Sequence, residues 1–182
     1  MKIFRTVLFL CTAAFFLQAG EDSLFGIKFG YLGPGTVKVA GTAFGTDASS
    51  VYGAFFDYRV AERLYMNFYI DRQNIAAFDY SEPLLDFGGG FKAVMHLKES
   101  AVMLRPGIAF GYGMIPEIDL GGYTAESTSY FIIKPSLEVV VPFGSENAVV
   151  GEVGFISAPA GGNVDYSVTL DPTLIMRLGI IF

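Results

Sequence analysis

One cysteine, Cys11, and one histidine, His96, are all that 182 residues contain of either type. A disulfide scaffold is therefore excluded, and a His-dependent enzyme would have to be built on His96. Charge is scarce as well. Asp, Glu, Lys and Arg make up 16% of the chain, where an ordinary soluble domain carries about 25%. Such a chain has either a very large dry interior or an apolar exterior, and one domain of this length is too small for the first. The charge that exists is acidic on balance, 12 basic against 18 acidic residues, a net of −6. A duplex repels such a chain, so nucleic-acid binding is not expected. Disorder is excluded by a hydrophobic fraction of 52%.

Residues 1–20 read as a secretory signal peptide. Lys2 and Arg5 precede an apolar stretch from Thr6 to Leu17, and the small residues Ala19 and Gly20 follow. The stretch is too short for a membrane helix, which needs about 17–25 residues. Cys11 is expected to leave with it. Residues 21–182 are then one domain with no cysteine and a formal charge of 10 − 18 = −8.

Long hydrophobic runs are also missing. Past Glu21 no run of 18 apolar residues exists, and the apolar content is dealt out alternately instead. Only helices and closed barrels span a bilayer, because lipid satisfies no free backbone N–H or C=O. Alternation with 15% aromatics in an exported chain points to a barrel. Short polar breaks fall at 61–63, 98–100 and 142–146, and longer Gly/Ser/Thr/Asp/Pro-rich stretches at 33–49, 73–84, 114–128 and 158–171. Short and long connections alternate around eight strands, near 24–32, 50–60, 64–72, 85–97, 101–113, 129–141, 147–157 and 172–182. The predicted fold is all-β: an eight-stranded antiparallel up-and-down transmembrane barrel with short periplasmic turns and long external loops. Val37–Ala40, within the first long stretch, can extend a strand beyond the membrane.

Each strand has one apolar phase, such as Phe25, Ile27, Phe29 and Tyr31 in the first. The opposite phase holds Lys28, Asp57, Arg59, Asp71, Asp86, Lys92, His96, Arg105, Lys134, Glu138, Glu152 and Arg177, together with many glycines that leave room for long side chains. Arg72 alone breaks the rule, near an external strand end where headgroup phosphates accept it. A lipocalin-like soluble barrel would reverse the phases, but a dozen charges are too few for a soluble exterior.

The last ten residues, Thr173–Phe182, carry Leu174, Met176, Leu178, Ile180 and a terminal Phe182. This pattern resembles the C-terminal signature of outer-membrane barrels. With eight strands and a mature length near 162, the chain is similar to the small OmpA/OmpX/OmpW group. The resemblance implies location in a bacterial outer membrane, recognition of Leu174–Phe182 by the barrel-assembly machinery, contact with outer-membrane lipids and lipopolysaccharide, and a monomeric state. It is the shorter OmpX- or OmpW-like form that is implied, with no peptidoglycan-binding domain.

Five lumen-phase charges, Lys28, Arg105, Glu138, Glu152 and Arg177, lie at similar depth and are expected to form a belt, with Lys134 completing the balance. Direct Arg105–Glu138 and Glu152–Arg177 contacts follow from strand adjacency. The belt reads either as a plug of paired charges or as a gate in which Glu138 and Glu152 exchange partners. His96, facing the lumen near a turn, reads as structural, and no catalytic role is expected. Pro106 and Pro135 fall mid-strand and nearly opposite each other. They mark either a paired kink or a lateral seam for an apolar solute, as in OmpW-like barrels. The external stretches are acidic (Asp47, Asp79, Glu82, Glu117, Asp119, Glu126 and Asp165 against Lys38) but carry no EF-hand spacing. No metal site or cofactor is predicted. Tyr80, Tyr123 and Tyr166 are candidate adhesive contacts. The function implied is structural or surface-interacting; the alternative is a narrow channel for small hydrophobic or ionic solutes.

Overall fold

Alternation of apolar and polar residues makes two-faced strands, and in the computed structural model these close on themselves. The structure describes residues 22–77, 80–115, 118–119, 124–125, 127–144, 147–163 and 167–182. The predicted signal peptide, residues 1–20, therefore lies outside the described residues, as do Tyr123 and Tyr166, and no helix occurs among the described residues. The strands in chain order are β1 (Ser23–Leu32), β2 (Gly35–Val39), β3 (Thr42–Thr46), β4 (Ser49–Ala61), β5 (Leu64–Ala77), β6 (Tyr80–Ala93), β7 (Met95–His96), β8 (Met103–Ile115), β9 (Ile118–Asp119), β10 (Thr124–Ala125), β11 (Thr128–Phe143), β12 (Asn147–Gly162) and β13 (Val168–Ile181).

Eight of them make the wall, in the order β1-β4-β5-β6-β8-β11-β12-β13, and β13 pairs back onto β1 to close it. Every wall pairing is antiparallel. Closure runs from Gly26–Ile181 to Leu32–Ile175. The Phe182 N–H donates to the Phe25 carbonyl at 2.8 Å, and their rings stack with centroids 6.4 Å apart. The terminal aromatic thus caps the seam where the first and last strands meet.

The outward phase is a continuous apolar band. Phe29 and Leu178 are 62% and 58% exposed, fractions that make sense against lipid and not against water. Arg72 also faces outward, its guanidinium 5.8 Å from the Tyr52 ring centroid.

The wall is taller than the sequence predicts at the long-loop end. Of the stretch 73–84, residues 73–77 and 80–84 are strand and not irregular loop: β5 and β6 stay paired from Gln73–Leu84 to Ala77–Tyr80. Likewise β12 reaches Gly162 and β13 starts at Val168. Nothing in an antiparallel ladder obliges it to stop at the membrane, and Gly, Ser and Thr are compatible with a strand wetted on both faces. Residues 35–46 form a hairpin, β2–β3, turning through Ala40 (φ 49°) and Gly41 (φ 81°), the two positive values a two-residue type I′ turn requires. β2 pairs with Val168–Leu170 of β13, so Val37–Ala40 does extend the wall.

Candidate functional site

The lumen phase delivers ten buried charges to the barrel interior: Lys28, Lys92, Arg105, Lys134 and Arg177 against Asp57, Asp71, Asp86, Glu138 and Glu152. Five balance five, and each of the eight wall strands contributes at least one. The glycines on this face make the room. A Cβ at Gly53 would stand 2.1 Å from Asp71 Oδ1, and one at Gly113 would stand 2.0 Å from the Tyr130 ring.

Four of the six predicted belt residues form a row across adjacent strands. Arg105 is the cross-strand partner of Glu138, Glu138 of Glu152, and Glu152 of Arg177. Two carboxylates so placed would repel, and the Lys28 ammonium from β1 stands between them. It donates to Glu138 and, at 2.7 Å, to Glu152. Arg177 grips Glu152 with two nitrogens, Nη2 to Oε1 at 2.8 Å and Nε to Oε2 at 3.1 Å, the bidentate geometry in which charge-assisted bonds are strongest. Arg105 Nη1 lies 3.6 Å from Glu138 Oε2, an ion pair too long to be a hydrogen bond.

The main partner of Arg105 is one the belt prediction leaves out. Its Nη2 donates to Asp57 on β4. Lys92 links Asp57 (3.2 Å) to Glu138 (2.8 Å). Lys134 pairs with Asp71, which also receives Arg177 Nη1 at 2.8 Å. The result is an alternating chain of nine groups: Arg105, Asp57, Lys92, Glu138, Lys28, Glu152, Arg177, Asp71 and Lys134. Asp86 stands off it, accepting from Gln73 Nε2 at 2.7 Å and Tyr130 Oη at 2.8 Å, with no cation of the described residues in ion-pair contact. Aromatic faces pack on the ammonium groups: Lys28 and Lys92 lie 4.4 and 4.6 Å from the Phe55 centroid, and Lys134 lies 4.1 Å from that of Tyr69.

Apolar layers bracket the network. Toward the long-loop end lie Leu32, Val51, Leu84, Ile132, Ile156 and Ile175, and toward the short-turn end Val140, Ala148, Val150 and Ile181. Between them is a cavity of about 30 Å³, lined by Lys28, Lys92, Lys134, Arg177, Asp71, Glu138 and Glu152 among others. That is room for a water or two.

Other predicted positions fall elsewhere. His96 keeps the lumen parity, since the register runs unshifted from Lys92–Gly107 to Met95–Leu104 and His96–Met103, but it is exposed at the short-turn end, past the buried layer. Arg59 is also exposed, paired with Asp22 at 2.7 Å near the short-turn end. Of Tyr80 only the backbone is described. Among the described residues no group of three or more His, Cys, Asp or Glu is placed to hold a metal ion.

Pro106 and Pro135 both face outward but are not opposite each other. Pro106 partners Leu137 and Pro135 partners Ile108, and the β8–β11 register runs unbroken through both. The interruptions lie on the outer flanks. Pairing of β8 with β6 ends at Lys92–Gly107 and resumes through β7 at Met95–Leu104, skipping Arg105 and Pro106. Pairing of β11 with β12 skips Lys134 and Pro135 between Ile133–Ser157 and Ser136–Gly154. The physical reason is that a proline lacks a donor toward only one neighbour. Each proline also follows an end member of the ion chain, and a residue before proline is confined to extended backbone.

No protein-family profile and no characterised protein matches the sequence. Solved structures do match. The N-terminal β-barrel domain of OprF from Pseudomonas aeruginosa superposes with a TM-score of 0.56 at 9% identity, over 90% of this chain and 98% of that one. Neisserial surface protein A gives 0.60 at 11% identity, over 88% and 98%. Ail, the attachment invasion locus protein of Yersinia pestis, gives 0.51 at 14%, over 88% and 99%. At these identities the likeness is one of architecture, and it extends over most of both chains. Closed wall, strand count and apolar exterior together give this protein the fold of the small eight-stranded outer-membrane β-barrels.

Proposed function

We propose that this protein is a closed barrel of the bacterial outer membrane with a structural or surface-interaction role, its lumen plugged by the ion network and without catalysis. The observation that carries this reading is the neutral set of ten buried charges between two apolar layers. An open aqueous pore would leave such groups solvated. Here nine of them pair with one another and Asp86 is held by Gln73 and Tyr130, and desolvation makes any rearrangement expensive. An eight-stranded barrel has an interior only just wide enough for its side chains. The interaction surface is then the long-loop end, and a surface role is in keeping with the likeness to a protein named for attachment. Lipids and lipopolysaccharide surround the apolar band, and Leu174–Phe182 serves the assembly machinery.

The alternative is a gated channel, favoured by the fact that Lys28 already contacts both Glu138 and Glu152 and could release either. Single-channel recording in planar bilayers separates the two. A plug predicts silence for the native protein and for Glu138→Ala, with the variant less stable. Conductance that rises in Glu138→Ala would establish the gate.

A further inference from the structure

The wall closes, but the sheet it belongs to keeps one free edge. β3 ends the strand order and pairs with β2 alone among the described strands. β5 comes within 8 Å of it at the Cα atoms, yet no ladder joins the two. Thr42, Ala43 and Gly45 are exposed, and a Cβ added at Gly45 would meet nothing within 4 Å. Register tells which groups the edge offers. The two-residue turn at Ala40 and Gly41 makes Val39–Thr42 a hydrogen-bonded pair, and the alternation carries on to Val37–Phe44 and Gly35–Thr46. Ala43 and Gly45 are the non-bonded positions, so their N–H and C=O groups point away from β2.

Proteins blunt such edges with lysine, proline or a bulge. Thr42–Thr46 holds no charge and no proline, and its register with β2 is unbroken. A bare edge pairs with any extended backbone, so charge selects the partner. The lumen is neutral, five charges against five. The segments 33–49, 73–84, 114–128 and 158–171, which join the wall strands at the long-loop end, hold eight acids against one base, Lys38. Lys38 is itself tied to Asp171 at 2.8 Å. Seven acids remain at the end where β3 stands, and Asp47 directly follows its last residue. A second copy of this chain carries the same surplus and is repelled, as is a sulfated polysaccharide. We propose that β3 takes up, by strand addition, an extended peptide segment rich in Lys and Arg, presented by a partner protein. Backbone bonds to Ala43 and Gly45 hold the segment, and the acidic surround gives it selectivity and a fast encounter. This inference rests on the surface-interaction reading and names the partner's chemistry.

The test uses the full mature barrel in detergent and a short alternating Lys–Thr peptide, fluorescently labelled and followed by anisotropy. Binding is expected for this peptide and not for its Glu–Thr counterpart. Methylating every backbone nitrogen of the Lys–Thr peptide keeps its charge and removes its donors. Affinity should then fall by about tenfold or more, the loss of about two hydrogen bonds. The double variant Ala43→Pro/Gly45→Pro takes both outward donors from the edge and touches no charge. It should lose affinity for the Lys–Thr peptide to the same degree while keeping the gel mobility of the folded barrel. Should it not fold, the methylated peptide decides on the native chain. Equal affinity for the methylated peptide would reveal plain charge attraction and overturn the site, as would a preference for a heparin fragment. Bilayer currents report separately on closure: a silent barrel that binds no peptide refutes the β3 site and leaves the plug standing.

Discussion

At the scale of single residues, buried acids that look alike in sequence differ in what holds them. Asp57 and Asp86 are both 0% exposed. Asp57 receives Arg105, Lys92 and Asn67, whereas Asp86 receives only neutral donors. Asp57→Asn should leave Lys92 and Arg105 sharing Glu138 as their one carboxylate and cost about 3–5 kcal/mol. Asp86→Asn keeps one acceptor, for Gln73, and offers an N–H that the Tyr130 hydroxyl oxygen can accept, so it should change stability by only about 1 kcal/mol. Urea titrations followed by the gel mobility of the folded barrel measure both, and equal losses would show that depth rather than pairing governs. The sequence exposes Asp57, Asp71, Asp86 and Lys92 as lumen-facing by parity, yet not as network members. Counting from strand ends matches levels on neighbouring strands, which is why the row from Arg105 to Arg177 is legible. The Arg105–Asp57 pair spans the lumen between strands that are not neighbours. Which levels face each other there depends on tilt and shear, and no local pattern encodes those.

At the scale of elements, alternation places every wall strand, because one register slip would turn a whole row of charges into lipid. Where no such penalty acts, the reading falters. Between Gln73 and Leu84 polar residues and Pro83 replace the strict apolar alternation, so composition there looks like loop although the pairing of β5 with β6 continues. The prolines show the same limit. Position puts Pro106 and Pro135 on facing strands, but only geometry reveals that each interrupts the opposite flank. Replacing both by valine restores two donors, and each regained ladder bond is worth about 0.5–1.5 kcal/mol. Stability should rise with the uptake of an apolar solute into proteoliposomes unchanged. A fall in uptake would instead identify the flanks as a lateral exit.

At the scale of the whole molecule, closure rests on a short seam. β1 and β13 meet over seven residue pairs, and the Phe25–Phe182 stack finishes it. Deleting Phe182 removes both that stack and the last N–H···O=C bond to Phe25. The variant should lose the heat-sensitive gel mobility of a folded barrel in vivo and accumulate in the periplasm. Normal surface levels would show that the terminal residue is neither a seam cap nor an assembly signal.

The network also divides the chain in a telling way. The wall strands β1, β4, β5 and β6 carry two of the buried cations and three of the anions, a sum of −1; β8, β11, β12 and β13 carry three and two, a sum of +1. Six of the nine buried ion pairs join one half to the other. Neither half-barrel is neutral alone, and each carries the complement of the other's charge. A half-built barrel is therefore held back from lipid by its own lumen face, and the halves attract until they meet. Insertion and closure become a single event, with electrostatic self-recognition built into the two ends of one polypeptide.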